Sequence, residues 1–231
     1  MSDSSDLHKE HPWLQHHFDT PVQQFEAAKL GMWLFLAQEV LFFSGLFVFY
    51  GWGRLSFPEA WEAGGAQLNV WMGGANTCVL LISSFTAAMA VRTAQLGKTK
   101  ETSIHLVITI ACACIFMVVK YFEYTAKIEH GLLPGRFFAV HDWSHIHPWN
   151  GEEAVTAMPA NTHLFFGVYF VLTGLHGIHV LIGIGVLAWI LFRNVRGDFN
   201  PKYWTPVDLA ALYWHLVDLV WIYLFPLLYL I

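Results

Sequence analysis

Charged side chains are scarce in this chain. Of its 231 residues only 13% are Asp, Glu, Lys or Arg, against 56% that are hydrophobic. A water-soluble domain carries about 25% charged residues, so this shortage argues against a soluble globule. Twelve basic and seventeen acidic side chains leave a net charge of −5, which argues against a nucleic-acid partner. Cysteine is rarer still. Cys78, Cys112 and Cys114 make no CxxC pair and no disulfide framework, and they read as small apolar fillers. No internal repeat is visible, and no run of alternating ten-residue strands that would suggest an outer-membrane barrel.

Long apolar runs take the place of charge. Five stretches, roughly 30–52, 70–92, 104–125, 163–192 and 208–231, are each long enough to cross a bilayer. A spanning helix needs about 20 mainly apolar residues, because the hydrocarbon core is about 30 Å thick. The expected fold is therefore all-α: a polytopic membrane protein with five transmembrane helices. A polar, His-rich arm covers 1–29 and the helical domain 30–231. The arm lacks a short apolar core, so the first span is expected to act as its own insertion signal.

Lysine and arginine sort by side. Lys9, Lys29, Arg92, Lys98, Lys100, Arg193, Arg196 and Lys202 fall on the N-terminal arm and the second and fourth loops. The first and third loops hold Arg54, Lys127 and Arg136, and Lys120 lies within a span. The excess predicts a cytoplasmic N-terminus and, after five crossings, a periplasmic C-terminus. The third loop, 126–162, is the longest connection, rich in His and Trp, and reads as functional or as an interaction surface. Its histidines, His130, His141, His145 and His147, come without thiolates or ordered spacing. Aromatics at span ends, among them Tyr50, Trp52, Trp71, Tyr121, Trp189 and Tyr229, fit interfacial belts.

Polar residues inside the spans carry the functional signal. Glu39 lies near the middle of the first span, where a lone carboxylate costs about 3 kcal/mol and must be neutral or paired. Lys120 and Glu123, three apart, can pair on one helix face, with the lysine snorkelling to the interface. His176 and His179 share a face of the fourth span, and His215 and Asp218 a face of the fifth. The simplest account is an interhelical network in which histidine nitrogens reach Asp218 or Glu39. The sharper alternative is metal or haem ligation by the paired histidines, which HxxH on a helix signals only weakly.

Three stretches together resemble subunit III of the haem–copper oxidases of the cytochrome c oxidase type. They are Gln38-Glu39-Val-Leu-Phe-Phe-Ser-Gly45, Phe170-Val-Leu-Thr-Gly-Leu-His176-Gly-Ile-His179-Val-Leu-Ile-Gly183 and Tyr213-Trp-His215-Leu-Val-Asp218-Leu-Val-Trp221. The resemblance covers nearly everything from Pro21 onward and looks like the five-helix bacterial form, which lacks the first two helices of longer members. It implies a bacterial inner (plasma) membrane and a non-catalytic subunit with no metal of its own, haem and copper being held by partner subunits. It implies that the chain packs on subunit I, holds phospholipid in a cleft, and supports proton uptake and durability during turnover. By the same resemblance, Glu39 matches the intramembrane carboxylate facing subunit I, and Arg193 a contact to a lipid phosphate. Glu123, His176, His179, His215 and Asp218 match structural positions in the polar network. Other oxidase subunits are expected partners, and the loop 126–162 is expected to dock one of them or an electron-donor complex. Competing readings are the same fold serving a quinol oxidase or a nitric oxide reductase, a membrane cytochrome using the histidine pairs, and a proton-coupled transporter built on Glu39.

Overall fold

A computed structural model describes residues 12–135, 138 and 159–231. Six helices follow one another among these residues: α1 (Pro21–Ser56), α2 (Pro58–Gly65), α3 (Val70–Gln95), α4 (Thr99–Glu129), α5 (Thr162–Val195) and α6 (Thr205–Tyr229). No strand is present among the described residues. Five of the helices, all but α2, are long and apolar enough to cross a membrane. Helices α1, α4 and α5 run past their apolar windows at both ends, α3 does so only at its C-terminal end, and α6 starts three residues early but stops at Tyr229, two short of the expected end.

Local chemistry sets the boundaries. Thr20 caps α1, its hydroxyl accepting from the Gln23 N–H at 3.2 Å, and Pro21 occupies the first helical position. Phe57 precedes Pro58, which disfavours helical backbone there and separates α1 from α2. Asn69 caps α3 by accepting from the Met72 N–H at 3.1 Å. Gly97 and Gly197 end α3 and α5 in left-handed conformations, with φ of 72° and 83°. In both, the next residue donates back five positions, Lys98 to Thr93 and Asp198 to Arg193. Helix α6 continues through Pro226 to Tyr229.

The long helices α3 and α4 form the most extensive pair, and α6 packs against α3, α5 and α1. Of the spanning helices α6 is the most buried and α1 the least. Phe116, Trp214, Trp221, Leu172 and Leu224 fill the centre. Hydroxyl and indole bonds cross between helices: Thr86 to Thr109 at 2.8 Å, Trp214 to Ser83 at 3.1 Å and Trp221 to Thr77 at 3.0 Å. The outward faces are apolar, with Leu41, Val48, Trp71, Phe85 and Tyr121 among the most exposed side chains. In water such a surface would be an aggregation hazard; in a bilayer it is the ordinary lipid face.

Two interfacial expectations need correction. Tyr50 and Tyr229 are buried, not in belts at the lipid boundary. Tyr50 donates its hydroxyl to the Leu227 carbonyl of α6, and Tyr229 joins the ionic cluster described below. A buried phenol must find a partner, and both do so across helices. The loop histidines His141, His145 and His147 and most of the loop 126–162 lie outside the described residues.

Close approach of α5 and α6 depends on Gly183. A β-carbon there would lie 2.7 Å from the fully buried Trp214 ring. Gly183→Leu is therefore expected to lower stability by about 1–3 kcal/mol. Gly177→Leu on the same helix, where a β-carbon meets nothing within 4 Å, is expected to be tolerated. Thermal unfolding of both variants in detergent checks the contrast.

Candidate functional site

Helix α1 touches the bundle lightly, packing mainly on α2, α5 and α6 among the described residues. Three polar links at three depths hold it. At one end Lys29 pairs with Asp208 of α6 at 3.2 Å. At the other, Tyr50 bonds the Leu227 carbonyl. Between them the Glu39 carboxylate meets the His179 ring of α5, Oε2 to Nε2, at 3.0 Å. His179 is itself aligned, because its Nδ1 lies 2.8 Å from the Leu175 carbonyl. That contact assigns the Nδ1 proton to the backbone bond and leaves Nε2 facing the acid. Phe43 packs edge-on against the His179 ring, and the pair keeps slight exposure, 15% for the histidine and 11% for the acid.

Apolar hollows flank this central link. One, of ≈740 Å³, lies between the N-terminal half of α1, the C-terminal half of α5 and the start of α6, where Phe25, Met32, Phe35, Val186 and Trp189 line it. The other, of ≈500 Å³, is formed by Leu46 and Phe49 with Val168, Val171 and neighbouring residues of α5. Arg193 does not line the larger hollow but neighbours it through Trp189, which does. Its guanidinium lies over Trp189 at 5.1 Å and Phe199 at 5.0 Å, while Nε donates to Asp198 at 2.9 Å. The segment before α1 covers the same hollow, with Trp13 stacked on Tyr203 at 5.5 Å and Leu14 buried.

Glu123 anchors a second, fully interior cluster. It is 3% exposed, and Lys120 and Lys127 beside it are 6% and 5% exposed. Lys120 donates to Oε2 at 2.9 Å and Lys127 to Oε1 at 3.1 Å. Tyr169 and Tyr229 donate to the same Oε1 at 2.9 Å and 2.6 Å. Lys120 spends its remaining donors on those two phenol oxygens, at 3.1 Å and 2.9 Å. Its ammonium also lies over the rings of Tyr124, Tyr169, Trp221 and Tyr229. The expected pairing of Lys120 with Glu123 thus forms, but the lysine does not snorkel: neighbouring helices surround it and their phenols take the donors that Glu123 leaves.

The expected histidine–carboxylate network divides. His179 reaches Glu39. His215 instead meets the Ser84 hydroxyl at 2.7 Å. His176 is wedged between Phe116 and Trp221, and neither its nitrogens nor the Asp218 oxygens find a hydrogen-bond partner among the described residues. The residues missed from sequence are Lys127, Tyr169 and Tyr229. Lys127 was legible, since Lys120, Glu123 and Lys127 recur at i, i+3 and i+7 on one face. The tyrosines were not, because nothing local separates a phenol that faces lipid from one that faces a carboxylate. Among the described residues no three His, Cys, Asp or Glu side chains gather as a metal-binding group would.

The geometry is that of a helical bundle with interior polar ties and apolar hollows, and comparison with known proteins gives its family. The family model for cytochrome c oxidase subunit III matches residues 4–151 and 151–231. The chain belongs to the cytochrome c oxidase subunit III family. A probable cytochrome c oxidase subunit 3 of Mycobacterium tuberculosis is 30% identical over 202 residues, covering 87% of each chain. Cytochrome c oxidase subunit 3 of Thermostichus vulcanus is 30% identical over 203 residues, 87% of this chain and 86% of the relative. The Papio hamadryas subunit 3 is 31% identical over 224 residues, 93% of this chain and 73% of the relative. The family and the five spanning-length helices together make this a multi-pass membrane protein and a subunit of an oxidase complex.

Removing the shared acid should be the most damaging single change in this region. Glu123→Ala leaves two buried ammonium groups without a counter-charge and is expected to cost about 3–5 kcal/mol. Lys127→Met keeps the Lys120 pair and both phenol bonds, and is expected to cost about 1 kcal/mol. Thermal unfolding in detergent, with accumulation in the membrane as a second readout, separates the two.

Proposed function

We propose that this chain is a non-catalytic accessory subunit of a proton-pumping haem–copper terminal oxidase that reduces oxygen to water in aerobic respiration. In this reading it sits in a bacterial inner membrane, packs on subunit I through the side that carries α1, and holds structural phospholipid. Haem and copper belong to the partner subunits. The observation that carries the reading is the attachment of α1: a peripheral helix with an apolar outer face, tied inward at Glu39 and flanked by two apolar hollows.

Each hollow is large enough for part of an acyl chain. Arg193 lies beside the larger one, over the lining residue Trp189, and its planar guanidinium suits a lipid phosphate bidentately. Its Nε bond to Asp198 and its contacts with Trp189 and Phe199 orient it there. Lipid held there would stiffen α1 against α5 and α6 and so support the face offered to subunit I. Proton uptake by the oxidase would benefit indirectly, through the stability of that contact.

Gentle extraction from native membranes tests the assignment. Haem and copper are expected to travel with a large co-purifying subunit, and the chain stripped by harsher detergent should be colourless. A haem spectrum retained by the isolated chain would overturn the reading in favour of a membrane cytochrome. Two variants test the parts. Glu39→Gln keeps a hydrogen-bonding group opposite His179 and should preserve the complex on native gels, whereas Glu39→Ala should weaken it. Arg193→Ala should reduce co-purified phospholipid and hasten the loss of oxidase activity during turnover.

A further inference from the structure

A third hollow, of ≈640 Å³, opens at the end of the bundle opposite Arg193. It lies between the C-terminal end of α1, helix α2 and the last turn of α6. Its walls are apolar where the spans run: Phe47 and Leu55 on one side, Leu227 and Ile231 on the other. Gly51 lies between them on the α1 side, and a β-carbon placed on it would meet nothing within 4 Å. Its rim is charged. Arg54 and Glu62 both line the hollow, both are exposed, and neither takes part in an ion pair among the described residues. The Tyr50 hydroxyl donates to the Leu227 carbonyl beside the same opening. Trp52, exposed two residues before Arg54, marks the depth at which aromatic rings meet lipid headgroups.

This is a rim of two opposite charges over an apolar trough. We propose that it binds a phospholipid whose headgroup carries both a phosphate and a primary ammonium. The phosphate pairs with Arg54, the ammonium with Glu62, and an acyl chain follows Phe47, Gly51 and Leu227 into the membrane. Charge complementarity selects the headgroup. A lipid with a phosphate but no ammonium would satisfy Arg54 and leave Glu62 beside a second negative charge. The site depends only on the membrane placement of the helices and is separate from the hollow beside Arg193.

The test uses the native complex in proteoliposomes containing phosphatidylethanolamine or phosphatidylglycerol probes with a photoreactive acyl chain. Adducts are mapped by peptide mass spectrometry. The ethanolamine probe is expected to label residues 47–62 and 227–231 about threefold more than the glycerol probe, the ratio that one exposed ion pair supplies. Glu62→Gln should erase that preference while leaving labelling by the glycerol probe intact. Arg54→Gln should lower labelling by both probes. Gly51→Leu fills the trough from an open position and should lower both while thermal stability is kept. Equal labelling of the unaltered complex by the two probes would overturn the proposal, as would labelling indifferent to Gly51→Leu. Adducts confined to the hollow beside Arg193 would overturn it too, while leaving the lipid role proposed for Arg193 standing. If Arg54→Gln fails to assemble, competition by unlabelled phosphatidylethanolamine against the same adducts decides the point.

Discussion

Hydrocarbon offers no hydrogen bonds, and every spanning helix in this bundle must dispose of its polar side chains on its neighbours. Glu123 shows what that constraint demands. A carboxylate and two ammonium groups in one interior are costly to desolvate, and only a complete set of partners makes them tolerable. Here α4 supplies the carboxylate and both lysines, while α5 and α6 supply one phenol each. The cluster thus joins three helices at a single acid. The tyrosines do double duty, as donors to the carboxylate and as acceptors for Lys120.

The same constraint gives α1 its particular character. Its outer face is apolar, its packing is light, and its attachment rests on a few polar contacts spread along its length. Lys29, Glu39 and Tyr50 each find a partner on another helix. Between those contacts the helices stand apart, and the hollows occupy the gaps. A helix held this way can present a long face to a partner while leaving room for lipid behind it. The α3–α4 pair behaves differently: hydroxyl-to-hydroxyl bonds and small residues such as Ala87 and Ala90 bring it together closely.

Much of the architecture is readable from one strand of text. Apolar length announces five spans, while their ends, set by Thr20 with Pro21, Phe57 before Pro58, Gly97 and Gly197, became clear with the structure. Apolar length is a local signal, so it survives without knowledge of the fold. The i, i+3 spacing of Lys120 and Glu123 is also local, and their pair forms as that spacing suggests. The partners of Glu39 and His215 are not local, and His176 and Asp218 find none among the described residues. Four polar side chains at similar depths can be combined in several ways. The register of α5 against α1 and of α6 against α3 selects Glu39 with His179 and His215 with Ser84.

Sequence by itself determined the solvent, the number of spanning helices and the family, because hydropathy and contiguous motifs are written along the chain. Only the tertiary structure decided which polar group meets which, and whether an aromatic near a span end faces lipid or core. Tyr229 and Trp71 look alike in the sequence, yet Tyr229 is wholly buried against Glu123 and Trp71 is 84% exposed. The physical reason is that burial and pairing are properties of helix rotation and crossing. Side chains from several helices set these jointly, and no single segment encodes them.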